Sequence, residues 1–302
     1  MDFKSKIILI AGPTASGKSK FAIKLAKKIN GEIINADSMQ VYKELKILSA
    51  RPSFKDYQNI KHHLYGFHNA RNNFSTGDWL KLVKKKISEI KKRKKVPILV
   101  GGTGLYFKAL TDGLVNIPNI PLKIRKKIRS LHKKMGSKKF YEKLKKIDPL
   151  VKNNIDPSDT QRSIRAYEIK FYTKRSMYNW FKKTSSDYKE KDFYKIYMDF
   201  PRNELLNRIN YRAQEMVKNG LILEVKKFKN LQVRKDKSAN KAIGISEVQE
   251  YLQKKIKIEE LIEKISIKTR QYAKRQTTWG RGNMNNWNKL NQNSLEKFLK
   301  KF

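Results

Sequence analysis

The chain alternates continuous apolar runs with stretches whose apolar residues recur every three or four positions. This is the pattern of buried parallel strands joined by helices. Lys6-Ile-Ile-Leu-Ile-Ala11 is such a run, closed by Gly12-Pro13, and predicts a buried strand. Phe21, Ala22, Leu25, Ala26 and Ile29 then share one helical face. Ile33-Ile34 predicts a second short strand that runs into the loop Asn35-Ala36-Asp37-Ser38. Leu80, Val83, Ile87 and Ile90 predict a helix ending in the basic run Lys91–Lys95. Val96-Pro-Ile-Leu-Val100 is another buried strand, closed by Gly101-Gly102-Thr103-Gly104. Alternation of this kind implies right-handed crossovers and a sheet covered on both faces.

The character changes at about Asn116. Pro118 and Pro121 read as a linker, and residues 123–183 show helical periodicity with many Lys, Arg and Tyr and no convincing strand. Phe193 to Phe200 reads as a strand returning to the sheet, with Pro201 starting the next helix. Ile258, Leu261, Ile262 and Ile265 fall on one helical face, ahead of a basic stretch from Arg270 to Arg281. The organisation expected is a discontinuous α/β core, 1–117 and 200–302, interrupted by a helical insertion at 118–199.

Composition narrows the chemistry. The 302 residues include no Cys, which excludes a disulfide framework, a Cys-ligated zinc or iron–sulfur site and a Cys nucleophile. No apolar run is long enough to span a bilayer, and the first residues lack the cleavage pattern of a signal peptide, so a cytoplasmic protein is expected. The formal net charge of +43 suggests a nucleic-acid partner. Yet residues 1–117, 118–200 and 201–302 carry +15, +14 and +14, and Lys outnumbers Arg 55 to 15. An even Lys background of this kind marks no segment as the binding surface.

The strongest motif is Gly12-Pro13-Thr14-Ala15-Ser16-Gly17-Lys18-Ser19, a complete G-x-x-x-x-G-K-[ST] loop. It lies between a buried strand and an amphipathic helix, the context that makes it a nucleotide- or diphosphate-binding phosphate loop and the core P-loop NTPase-like. Its backbone N–H groups would face phosphate oxygens, Lys18 would reach the terminal phosphates and Ser19 would ligate Mg²⁺. Nucleotide hydrolases usually place a metal-positioning Asp at the end of a neighbouring strand. Here Val96–Val100 ends in glycines, and the acid appears instead at Asp37. In a parallel sheet, Asp37 and Thr103 both belong to the edge that carries the phosphate loop.

Together with that loop, Asp37-Ser-Met-Gln-Val-Tyr42, His62-His63-Leu64 and Gly101-Gly-Thr-Gly-Leu-Tyr106 resemble the tRNA dimethylallyltransferases. The similarity continues in Asp156-Pro-Ser-Asp-Thr-Gln161-Arg162-Ser-Ile-Arg165-Ala-Tyr-Glu168 and in Arg270-Gln-Tyr-Ala-Lys274-Arg275-Gln276-Thr-Thr-Trp279. The blocks run over nearly the whole chain in the family's order. The resemblance implies an ATP-binding-type loop that takes dimethylallyl diphosphate and a monomeric, Mg²⁺-using enzyme that prenylates the adenosine 3′ of a tRNA anticodon. It implies Asp37 as general base, Thr103 at the reacting centre and Arg212 as a further cation on the diphosphate. For the anticodon stem-loop it implies contacts from Asp37, Ser38, Met39, Gln40 and Thr103, and from Arg125, Gln161, Arg162, Ser163, Ile164 and Arg165. Lys274, Arg275, Gln276, Trp279 and Arg281 complete that set.

The chain departs from the family pattern at Ile245-Ser246, which lacks the usual aromatic and cation, at Leu48-Ser49 and at Tyr65-Gly66. The four histidines, His62, His63, His68 and His132, have no metal-ligand spacing and are expected to pack or hydrogen-bond. Three rival readings remain at this point: a P-loop kinase acting on a nucleoside or other small molecule, an adenylate isopentenyltransferase acting on free nucleotides, and a non-catalytic RNA-binding protein.

Overall fold

The structure, a computed structural model, describes residues 3–182 and 184–302. Met1, Asp2 and Lys183, the last at the end of the expected helical stretch, lie outside the described residues. The chain divides into two compact units, one of residues 1–111 and 188–302 and one of residues 112–187.

The first half of the larger unit runs β1 (Ile7–Ala11), α1 (Lys18–Ile29), β2 (Gly31–Asn35), β3 (His62–His63), α2 (Thr76–Lys92), β4 (Val96–Gly101) and α3 (Gly104–Thr111). The smaller unit holds α4 (Leu122–Ile147), α5 (Thr160–Thr173) and α6 (Met177–Phe181). The larger unit resumes with β5 (Phe193–Met198), α7 (Arg202–Lys218), α8 (Leu221–Asn230), α9 (Ile245–Leu252), α10 (Ile258–Asn283), β6 (Asn288–Leu290) and α11 (Gln292–Leu299).

The six strands form one parallel sheet in the order β3-β2-β4-β1-β5-β6. Successive residues of β1 serve opposite faces, as the pleat requires. Ile8 and Ile10 join a core with Phe21, Leu25 and Ile209, whereas Ile7 and Leu9 join Trp79, Val83, Ile87 and Phe107. Both faces are apolar, which is why β1 reads as a continuous hydrophobic run.

Two boundaries differ from expectation. The smaller unit spans Asp112–Asp187, not 118–199, because Phe193 to Tyr197 pair residue by residue with Ile7 to Ala11 and so belong to the sheet. The helix whose apolar face runs from Ile258 to Ile265 also ends later than that periodicity indicates: α10 continues through the basic stretch to Asn283.

The smaller unit has its own core of Ile128, Phe140, Tyr141, Leu144, Ala166, Tyr167 and Ile169. Within α4, Gly136 has φ +72° and ψ 164°, so two helices meet there at a kink. A left-handed φ of this kind suits a residue without Cβ.

Candidate active site

Three loops at the carboxyl ends of β1, β2 and β4 meet on one edge of the sheet. The phosphate loop follows β1, the Asp37 loop follows β2 and the Gly101–Gly104 loop follows β4. Backbone bonds join the last two: Ala36 N–H donates to Val100 O at 2.8 Å, and Thr103 N–H to Ala36 O at 3.2 Å.

Asp37 is held by groups that its own sequence block does not reveal. The buried Asn35 side chain donates to the carbonyls of Asp37 and Leu64 and accepts from Asp37 N–H. Trp79 Nε1 donates to Asn35 O at 2.9 Å and ties this loop to α2. Asp37 Oδ1 accepts from the N–H groups of Met39 and Gln40, which leaves Oδ2 as the oxygen for a proton. Thr103 Oγ1 accepts from Ser38 N–H at 3.0 Å and faces Ser38 Oγ at 3.4 Å. Gln40 donates its amide to the carbonyls of Ser49 and Ala50.

In the phosphate loop Ala15 takes φ +65°, a left-handed conformation unusual for a residue with Cβ, and the loop curls there. Lys18 Nζ donates to Pro13 O at 2.9 Å, and Arg212 reaches across from α7 to Thr14 Oγ1 at 3.2 Å. Burial pushes the Lys18 ammonium down to about 8, with Asp37 opposing the shift and Arg212 adding to it. Burial likewise lowers Arg212. An arriving diphosphate would relieve both, since it supplies the negative charge these cations lack.

Gln276 of α10 is the link between the loops. Its Oε1 accepts from Thr14 N–H at 2.8 Å and its Nε2 donates to Gly102 O at 2.9 Å. Its amide is therefore engaged inside the site. Trp279, one turn later, lies so close to Gly104 that a Cβ there would come within 2.2 Å of its ring.

Two cavities of about 310 and 320 Å³ open on this edge and share Tyr272 and Arg275 as a common wall. One is largely apolar, with Leu105, Phe107, Tyr197, Trp279 and Met284. The other contains Thr14, Asp37, Ser38, Arg212 and Lys241. Burial, with the nearby Asp37 charge, pushes the Tyr272 hydroxyl upward, so it stays protonated and able to donate.

The expected residues thus fall into two groups. Gly12 to Ser19, Asp37 to Gln40, Thr103, Arg212, Arg275, Gln276 and Trp279 assemble around the three loops of the larger unit, and Lys274 and Arg281 are exposed on α10. Arg125 and Gln161 to Arg165 lie in the smaller unit. There Ser163 is buried and Ile164 packs on the helical core, so the outward side chains of that block are Gln161, Arg162 and Arg165.

The histidines pack or hydrogen-bond. His62 stacks on Tyr57 at 3.8 Å, His63 Nε2 meets Glu32 Oε2 at 2.7 Å, His68 packs against Phe74 and His132 meets Ser137 Oγ. Among the described residues no cluster of three or more His, Asp or Glu could hold a metal. Ser19 offers one hydroxyl beside the phosphate loop. That donor set fits an ion whose other ligands are water and substrate phosphate oxygens, as Mg²⁺ prefers, and not one that needs an all-protein cage.

A parallel sheet with a phosphate loop after its first strand, and an acid and a threonine on the same edge, defines a P-loop α/β protein built to hold a phosphorylated ligand. The IPP transferase family model matches residues 40–283. A tRNA dimethylallyltransferase of Pelagibacter ubique is 60% identical over 301 residues, covering 100% of this chain and 96% of that protein. The crystal structure of a full-length tRNA isopentenylpyrophosphate transferase from Bacillus halodurans superposes with a TM-score of 0.70 at 34% identity, over 98% of this chain and 95% of the other. A eukaryotic dimethylallyltransferase captured acting on tRNA superposes at 0.79 with 29% identity, over 91% of this chain and 69% of the other. The chain belongs to the IPP transferase family, the tRNA dimethylallyltransferases.

Sequence reasoning missed Asn35, Tyr272 and the bridging role of Gln276. Asn35 had a signal, a polar residue closing a buried strand. The other two depend on α10 packing across the loops, which no local pattern announces.

Proposed function

We propose that this transferase moves the dimethylallyl group of dimethylallyl diphosphate onto N6 of the adenosine 3′ of the anticodon, in tRNAs reading codons that begin with U. The C1–O bond to diphosphate breaks and its electron pair leaves with the diphosphate. The N6 lone pair forms the new C1–N bond, and N6 gives up a proton. The observation that carries the reading is the juxtaposition of Asp37 with Lys18, Arg212 and the phosphate loop: one acid with a free oxygen beside a set of cations.

Each group has a part in that step. Lys18, Arg212 and the loop N–H groups offset charge that develops on the leaving diphosphate. Asp37 Oδ2 takes the N6 proton. Thr103, tied to Ser38, keeps the acceptor side in register with the loop. Mg²⁺, held by Ser19 and the diphosphate itself, would add charge stabilisation on the leaving group. The target adenine must leave its stack to reach a site recessed between loops. A phosphotransferase reading lacks support, because Gly101 to Gly104 stand where the metal-positioning acid would follow β4.

The test is direct. With Mg²⁺ and dimethylallyl diphosphate labelled in its five-carbon group, the protein should label unmodified tRNA and release diphosphate. ATP-dependent phosphorylation of a nucleoside, with no label entering tRNA, would defeat the proposal.

A further inference from the structure

The smaller unit contains a group that the catalytic account leaves unused. Glu168 of α5 is 1% exposed and faces three arginines. Arg129 Nε lies 3.4 Å from its Oε1, Arg165 Nη1 3.4 Å from its Oε2 and Arg125 Nε 3.7 Å from its Oε2. Arg125 and Arg129 lie one turn apart on α4, and Arg165 precedes Glu168 by three residues on α5. The side chains of these arginines stay 37%, 53% and 43% exposed.

Charge balance alone does not explain this cluster. One carboxylate neutralises one guanidinium, so a structural ion pair needs one arginine, and a buried pair of that kind adds little stability by itself. Here two positive charges are left over, crowded together and open to solvent. Each guanidinium has five N–H donors in a rigid plane and turns only part of that plane toward Glu168. The remaining N–H edges are oriented but have no acidic partner within the cluster. Asp159 pairs with Arg162, Asp156 accepts from Ser158 and Glu142 pairs with Lys145. Planar donors fixed in place with surplus positive charge suit phosphate oxygens, which accept from arginine in pairs.

We propose that Glu168 is the positioning residue of a phosphate-binding arginine array, fixing Arg125, Arg129 and Arg165 so that their outer edges receive the RNA backbone. The inference rests on tRNA being the substrate, and it gives Arg129 a role that no motif assigns. Its partner is the sugar–phosphate backbone, read by charge and geometry without base identity.

The sign of the effect separates this role from simple electrostatics. Glu168→Gln removes a negative charge, so if charge alone mattered the variant would bind tRNA more tightly. A positioning role predicts weaker binding, because the amide no longer holds the guanidiniums. Affinity of the full-length protein for unmodified tRNA is measured by fluorescence anisotropy over a salt series, with dimethylallyl diphosphate affinity and melting temperature measured in parallel. Glu168→Gln should weaken tRNA binding about tenfold with the diphosphate affinity unmoved. Glu168→Asp, which keeps the charge but withdraws the carboxylate, should lose several-fold. Arg129→Lys, an exposed change that leaves net charge and core intact, should lose affinity as well, and it carries the test if Glu168→Gln fails to fold. Unchanged or tighter tRNA binding in a folded Glu168→Gln, or in Arg129→Lys, overturns the proposal. If the wild type binds tRNA in this manner but transfers no prenyl group, the proposed reaction falls and the array stands.

Discussion

At the scale of single residues the account turns on Asp37 and Lys18. Asp37→Asn keeps an oxygen for the N–H groups of Met39 and Gln40, so the loop should hold its shape while the base is lost. Turnover should fall by about 10²–10⁴-fold, the range typical of a positioned base, with diphosphate affinity within a factor of a few. Single-turnover transfer alongside equilibrium binding checks both parts. Lys18 makes a pH prediction. Its site value of about 8 lies below that of a free lysine, so without ligand it is charged below pH 8 and neutral above. Diphosphate binding above pH 8 must then take up a proton. Affinity should be flat below about pH 8 and fall up to about tenfold per unit above it, read by titration from pH 6.5 to 9.5. Lys18 and Asp37 were both legible in the sequence, because a phosphate loop and a strand-end acid are local patterns. Asn35 and Glu168 were less so: the sequence displays the residues, but their partners lie far along the chain.

At the scale of elements, α10 is the member that joins the site. A helix of 26 residues carries an apolar face at Leu261 and Ile265, then Tyr272, Arg275, Gln276 and Trp279 at the loops. Its periodicity predicted only the first half, since Lys and Arg dominate the second and hide the turn-by-turn repeat. The strands divide the same way. β1 and β4 are continuous apolar runs and were readable, while β6 is three residues, Asn288–Leu290, and exists by pairing with β5. Gln276→Glu tests the helix as a tether. The carboxylate can still accept from Thr14 N–H but has no donor for Gly102 O. Loss of register between diphosphate and acceptor should lower kcat/KM by roughly 10–100-fold, with melting temperature little changed. A proportional loss of stability and activity would show instead that Gln276 only holds the fold.

At the scale of the whole molecule, the net charge of +43 has a defined and limited meaning. It is spread evenly along the chain and supplies salt-sensitive attraction for a polyanion, while the loops and the arginine array supply placement. Neutralising about six or more phosphates would cost on the order of 10³-fold in tRNA affinity between 50 and 200 mM salt. Affinity for dimethylallyl diphosphate, a small ligand, should change far less over that range. The α/β class and the helical unit were readable from patterning. The edge of that unit was not: Phe193 to Phe200 is legible as a strand and does pair with β1, but no local pattern marks where the chain passes from one unit to the other at residues 187–188. Whether the transfer occurs at the adenosine 3′ of the anticodon is decided by mass spectrometry of nuclease fragments from unmodified tRNA incubated with the protein, Mg²⁺ and dimethylallyl diphosphate. A mass gain of one isopentenyl unit on that single adenosine, strongly diminished at the same time point with Asp37→Asn, is the result predicted. No gain, a gain at another nucleotide or an undiminished gain with the variant would contradict it.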